Sequence, residues 1–270
     1  MIDIDIAFSP CPNDTFIFHA LVEGRIDTGP FRFHPVLADV EMLNRLAMEG
    51  RYDVTKLSFA ALMQLEHRYR LLDAGAALGF GCGPLVVARN PALDFPRARI
   101  AVPGRLTTAC LLFRLWQPEV SVSNLVETPF DTILPGVASG RFDAGVVIHE
   151  GRFVVDRYDC TTVIDLGDWW EKTTSCPIPL GCIAVRKDLA EHAQAIEALI
   201  RASLNHARNH PEASRAFISS HAQELADDII ERHIELYVND FSVSLGQTGR
   251  KAADVLRTHW KRLMDRPDGD

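Results

Sequence analysis

A chain of 270 residues and 30.1 kDa has the length of one large domain or two of moderate size, and 47% hydrophobic with 24% charged residues excludes a disordered or collagen-like chain. Acids outnumber bases 36 to 28, for a net charge of −8 and a pI near 5.7, which excludes nucleic acid as the default partner because phosphate contacts need clustered Lys and Arg. The opening Met-Ile-Asp-Ile-Asp-Ile puts acids where a signal peptide needs a basic start, and no run approaches the ~18 apolar residues of a membrane span, so the expected location is the cytoplasm, with no membrane partner.

In chain order, Ile2 to Ile6 alternates as a strand, and Pro10 and Pro12 end it by removing backbone donors. Asn13 or Asp14 is then a natural N-cap for a helix from Thr15. Phe31 to Val36 reads as a second strand, and Asp39 caps a helix whose Val40, Leu43, Leu46 and Ala47 share one face until Gly50. A short strand at Val54 to Leu57 feeds a helix from about Ser58 to His67. Strands at Leu71 to Asp73 and Leu85 to Ala88 follow, separated by the loop with Gly75, Gly79, Gly81 and Gly83. That loop leads toward a strand, unlike a phosphate-binding loop.

Loss of periodicity and two prolines near Asn90 to Arg97 suggest a crossing into a second unit. There, strands at Ile100 to Val102, Leu125 to Glu127 and Ala144 to Ile148 alternate with helices opening at Thr107 or Thr108 and at Thr132. The chain returns through Thr162 to Leu166 and Trp169, Trp170 to a strand at Gly181 to Val185, and is helical from Leu189. Such a pattern gives two α/β lobes with an intervening cleft.

Strand-to-helix junctions at the carboxyl ends of parallel strands are where ligands bind, and they select the candidate residues. His149 follows the apolar run Val146, Val147, Ile148, so it should emerge into the cleft, where an imidazole can take a proton near neutral pH; the alternative is a histidine that satisfies a loop carbonyl. Lys56, Leu57 and Ser58 offer a cation and a helix-start hydroxyl to a carboxylate, or else a surface lysine before an N-cap. Thr107, Thr108 and Ala109 repeat the arrangement in the second unit, with ordinary capping as the alternative. Asn13 is either a polar contact in the cleft or a cap.

Cys11 near His19 invites a nucleophile reading, but a thiol between two prolines has no evident activating charge. The six cysteines form no Cys-x-x-Cys pair, and His206, His210, His221 and His233 form no two-turn metal pair, so no metal is expected. Trp169 and Trp170 should pack the return segment, one of them walling the cleft.

The run SPCPNDTFIFHAL at Ser9 to Leu21, with VEGRID after it, resembles the opening of the 1,4-dihydroxy-6-naphthoate synthase family of the futalosine route to menaquinone. Further matching runs are TKLSFAAL at Thr55, GPLVVAR at Gly83, VPGRLTTA at Val102, VIHEGRF at Val147, IDLGDWWE at Ile164, PIPLG at Pro177 and HIELYVNDFS at His233. The resemblance implies a two-lobed, periplasmic-binding-protein-like α/β fold of type II with a central cleft and C-terminal helices. With composition, it sets one lobe at residues 1–97 and 177–270 and the other at 98–176.

It also implies a lyase without cofactor that acts on cyclic dehypoxanthine futalosine. By resemblance, His149 is the proton acceptor, Lys56, Leu57, Ser58, Thr108 and Ala109 are substrate contacts, and Thr107 is a neighbour. Two rival readings are a solute-binding protein of the same fold and the chorismate dehydratase of the same pathway.

Overall fold

A computed structural model describes residues 1–222 and 226–265. Strand β1 (Ile2–Phe8) exposes Asp3 and Asp5 and buries Ile4 and Ile6, the alternation its sequence prescribes. It pairs in parallel with β2 (Phe31–Leu37) on one side and with β3 (Val54–Ser58) on the other. The returning strand β11 (Ile178–Arg186) lies antiparallel to β3 and carries β4 (Tyr69–Leu71) and β5 (Ala77–Gly79) along its far edge. Strand β4 begins two residues earlier than the alternation suggested, and β5, three residues inside the glycine-rich loop, is too short to show a period.

The second sheet is ordered β10-β6-β9-β7-β8, with β6 (Leu85–Ala88), β7 (Ile100–Val102), β8 (Leu125–Glu127), β9 (Ala144–Val147) and β10 (Thr161–Asp165). Strands β7, β8 and β9 are parallel, while β6 is antiparallel to both β9 and β10. Thus β6 precedes the crossing suggested near Arg97 yet pairs in the second sheet, where both its edges are bonded.

Helices α1 (Pro12–Val22), α2 (Val40–Met48) and α3 (Phe59–Leu65) follow β1, β2 and β3; α4 (Thr108–Trp116), α5 (Ile133–Ala138) and α6 (Leu166–Thr174) follow β7, β8 and β10. The C-terminal part is helical, α7 (Ala193–Asn209), α8 (Pro211–His221), α9 (Asp227–Tyr237), α10 (Asp240–Val243) and α11 (Gly246–Met264). Among the described residues no helix is long and apolar enough to cross a membrane.

One apolar cluster joins Leu57 and Leu62 of the first unit to Val86, Val102, Leu112 and Val146 of the second, with Leu256 of α11 packed in. A second cluster fills the space between β1 and helices α1, α7 and α9, and a third backs the second sheet against α5. Closest approach of backbone occurs at Gly83, where an added Cβ would lie 2.2 Å from the Gly167 amide nitrogen, so only glycine lets this loop seat on the start of α6.

Candidate active site

A cavity lies between the two sheets. From the first sheet it is lined by Ser9, Asn13 and Asp14 after β1 and by Lys56 and Ser58 at the end of β3; from the second, by Thr107, Thr108 and Ala109 after β7 and by Ile148 and His149 after β9. The carboxyl ends of parallel strands in both sheets therefore converge on one space. Leu57, the remaining sequence candidate, is not in this lining: its side chain is fully buried in the core, as strand alternation requires beside an inward Lys56 and Ser58.

Helix α1 starts differently from the capping expectation. Pro12 takes the first helical position, where its missing N–H costs nothing, and Cys11 is the N-cap, its carbonyl accepting from the Asp14 and Thr15 amides. Released from capping, the fully buried Asp14 carboxylate accepts from the Ser9 hydroxyl at 2.7 Å, the Asn13 side-chain amide at 2.8 Å and the Lys56 ammonium. Lys56 thus has a partner inside the protein, and its remaining N–H groups are the ones available to a ligand. Ser58 Oγ accepts from Asn44 Nδ2 at 3.1 Å, which leaves its own hydrogen to donate into the cavity.

Across the cleft, Thr107 is the N-cap of α4: its hydroxyl accepts from the Cys110 amide at 3.1 Å and donates to the Gly104 carbonyl at 2.7 Å. Thr108 Oγ1 donates to the Leu180 carbonyl of β11 at 2.8 Å and accepts from the Ala60 amide of α3 at 3.2 Å. Its hydroxyl therefore ties the two units together. For a ligand, this corner offers the Thr108 and Ala109 amides at the start of α4, which have no partner within the helix.

His149 follows β9 with φ of 54°, a left-handed conformation rare for a residue with a side chain and costly by about 1–3 kcal/mol. That turn starts the 3₁₀ segment His149–Phe153 and brings the imidazole into the cavity lining. Phe130 meets the ring edge-on at 4.9 Å between centroids, and Cys11 Sγ lies 3.6 Å from Nδ1. Burial lowers the His149 pKa to about 4, so the ring is neutral near pH 7 with a lone pair to accept a proton. Burial also raises the Cys11 thiol, with the neighbouring Glu150 adding to the effect, so this sulfur is a protonated thiol in the protein and a poor nucleophile.

The sequence reading missed two residues of α9. Tyr237 lines the cavity, and the fully buried His233 places Nε2 3.0 Å from Asn13 Oδ1, its ring 6.1 Å from that of His149 in a stacked orientation. Their signal was spacing: four apart, they share the buried face that Ile229 and Ile230 mark on α9. Conversely, neither tryptophan of the return segment lines the cavity. Trp170 is fully buried against His259 with its Nε1 donating to the Pro177 carbonyl, and Trp169 packs on the main core.

Comparison with known proteins gives concordant matches. The sequence pattern of a family described as menaquinone biosynthesis fits residues 4–262. The chain is 49% identical over 248 residues to a 1,4-dihydroxy-6-naphthoate synthase of Thermus thermophilus, covering 92% of this chain and 90% of that protein. It is 43% identical over 259 residues to one of Streptomyces coelicolor, covering 94% and 92%. Among solved structures, protein AF1704 of Archaeoglobus fulgidus superposes with a TM-score of 0.90 at 35% identity, covering 96% of this chain and 97% of that one. The alkanesulfonate-binding protein of Xanthomonas axonopodis pv. citri shares the fold alone, with a TM-score of 0.67 at 13% identity over 98% and 95% of the two chains. The architecture is thus the two-lobed binding-protein fold, and the chain belongs to the menaquinone biosynthesis family.

Proposed function

We propose that this chain is a 1,4-dihydroxy-6-naphthoate synthase, a lyase acting on cyclic dehypoxanthine futalosine, and that His149 is its proton acceptor. The observation that carries the reading is His149 itself: a strained, half-buried, neutral imidazole in the lining of the cavity where both sheets converge. In this reaction a base removes a proton activated by a neighbouring carbonyl, elimination releases the sugar-derived part, and aromatisation drives the product side. Lys56 and Ser58 hold carboxylate or sugar oxygens from one side; the amides of Thr108 and Ala109 hold them from the other, with Thr107 setting the helix start. Asn13 orients Asp14, and closure of the lobes excludes water.

No cofactor enters this chemistry, since each step is a proton transfer or an elimination. The reading includes a cytoplasmic location and a small-molecule substrate, and the acidic balance supports the absence of a nucleic-acid partner. Purified, chelator-treated protein incubated with the futalosine derivative should release the naphthoate, detected by mass. Turnover of chorismate in place of that substrate would assign the chain to the dehydratase instead, and tight binding with no conversion of either would assign it to solute binding.

A further inference from the structure

Cys11 and the pair His149, Glu150 approach from opposite sides of the cleft, the first from the start of α1 and the others from the turn after β9. A thiol sulfur, an imidazole nitrogen and a carboxylate oxygen from these residues all lie within 4.8 Å of one another. The sulfur-to-nitrogen separation is 3.6 Å. Around tetrahedral zinc, with Zn–S of ~2.3 Å and Zn–N of ~2.0 Å, a sulfur and a nitrogen ligand stand roughly 3.5 Å apart. Two ligands of one ion are therefore already spaced for it, and a Glu150 carboxylate oxygen within 4.8 Å of both is the third donor. That carboxylate now lies 3.9 Å from His233 Nδ1. His149 also lines the cavity, so a fourth position would be open to a solvent ligand.

Charge and softness select the ion. A thiolate and a carboxylate neutralise a dication, so the filled site carries no net charge into a partly buried place. Sulfur and imidazole favour Zn²⁺ over Mg²⁺ or Ca²⁺, which need oxygen ligands. Binding displaces the thiol proton to solvent as the sulfur–metal bond forms, which makes affinity rise with pH.

We propose that Cys11, His149 and Glu150 form an inhibitory site for a thiophilic divalent cation of the Zn²⁺ type. A neutral imidazole has one lone pair. When Nδ1 gives it to the metal, the ring proton sits on Nε2, and neither nitrogen can accept a proton from substrate. Metal binding stands on the geometry alone, whereas its inhibitory consequence rests on His149 being the base.

The test uses the full chain, reduced and stripped of metal, titrated with CoCl₂ by absorption and with ZnCl₂ by calorimetry, beside Cys11→Ala, Cys11→Ser and Glu150→Gln. The expected result is a near-ultraviolet thiolate-to-cobalt band in the parent, lost in both Cys11 variants, and a Zn²⁺ affinity at least about a hundredfold weaker without the thiol. The half-buried His206 and exposed His210 rings stack at 4.6 Å and could also take a metal, but with no thiol they give no such band. Absence of the band in the parent, or Zn²⁺ affinity within about threefold of the parent in a folded Cys11 variant, overturns the site. Zn²⁺ should also stop naphthoate formation by the parent, reversibly with chelator. A cobalt band together with turnover that saturating Zn²⁺ leaves unchanged overturns the inhibition and, separately from the site, the base role of His149.

Discussion

Lys56 and Asp14 form a buried ion pair in the lining of the cleft, the lysine side chain 6% exposed and the aspartate not at all. The pair joins the end of β3 to the first turn of α1, so one side chain is both a bond within the fold and a candidate contact for substrate. Lys56→Ala should therefore lose stability, by about 3–5 kcal/mol, because a buried carboxylate is left without its cation. Its Michaelis constant should rise as well. Ser58→Ala should raise the Michaelis constant roughly tenfold or more and cost about 1–3 kcal/mol of stability, because the buried Asn44 amide loses its acceptor. Urea midpoints and steady-state kinetics on both variants check this; equal stability losses with unchanged kinetics would remove the pair from the ligand site.

His149→Asn should keep the left-handed turn, which asparagine tolerates, while removing the only group at that position able to accept a proton near pH 7. Turnover should fall by ~10² to 10⁴ with binding retained. Calorimetric binding of product and single-turnover rates on one folded preparation separate the two effects. A rate within about threefold of the parent would exclude the residue as base.

The acid limb of the rate profile follows from the same burial. A base works when unprotonated, and His149 is held down to about 4, below the range of a solvated imidazole. Hence kcat should stay on its plateau as pH falls through 6.5 and decline only near pH 4. Initial rates in short assays from pH 3.5 upward measure this. A limb centred at 6.5 would mean that the ring titrates in water during turnover.

Thr108→Val should cost about 1–3 kcal/mol, because it leaves the Ala60 amide and the Leu180 carbonyl without their hydroxyl partner. Thr108→Ser should restore both bonds and most of the activity. Denaturant unfolding with small-angle scattering of each variant reads stability and lobe separation together. Wild-type scattering from the valine variant would show that this hydroxyl does not hold the lobes.

Much of the architecture was legible because periodicity is local: the alternating Ile2 to Ile6, the Asp39 cap, whose carboxylate accepts from the Glu41 and Met42 amides, and the apolar run from Ala144 to Ile148 each carry their own signal. His149 was found for the same reason, since a buried strand followed at once by His-Glu points its own end. The order of runs from Ser9 to Ser242 likewise carried the family, which the relatives then bore out.

What the sequence could not hold was pairing at a distance. Asp14 read as a helix cap because nothing nearby announces Lys56, 42 positions on. Cys11 was set beside His19, near it in the chain, because His149 lies 138 positions away and meets the thiol only when the two sheets face each other. His233 read as one more histidine on a charged helix until α9 packed it beside Asn13, 220 residues earlier in the chain. Composition and period determine which segments become strands and helices, since those depend on neighbours along the chain. Which side chains share a cavity, and which of them is already committed to a partner there, depends on how the sheets dock, and only the tertiary structure decided that.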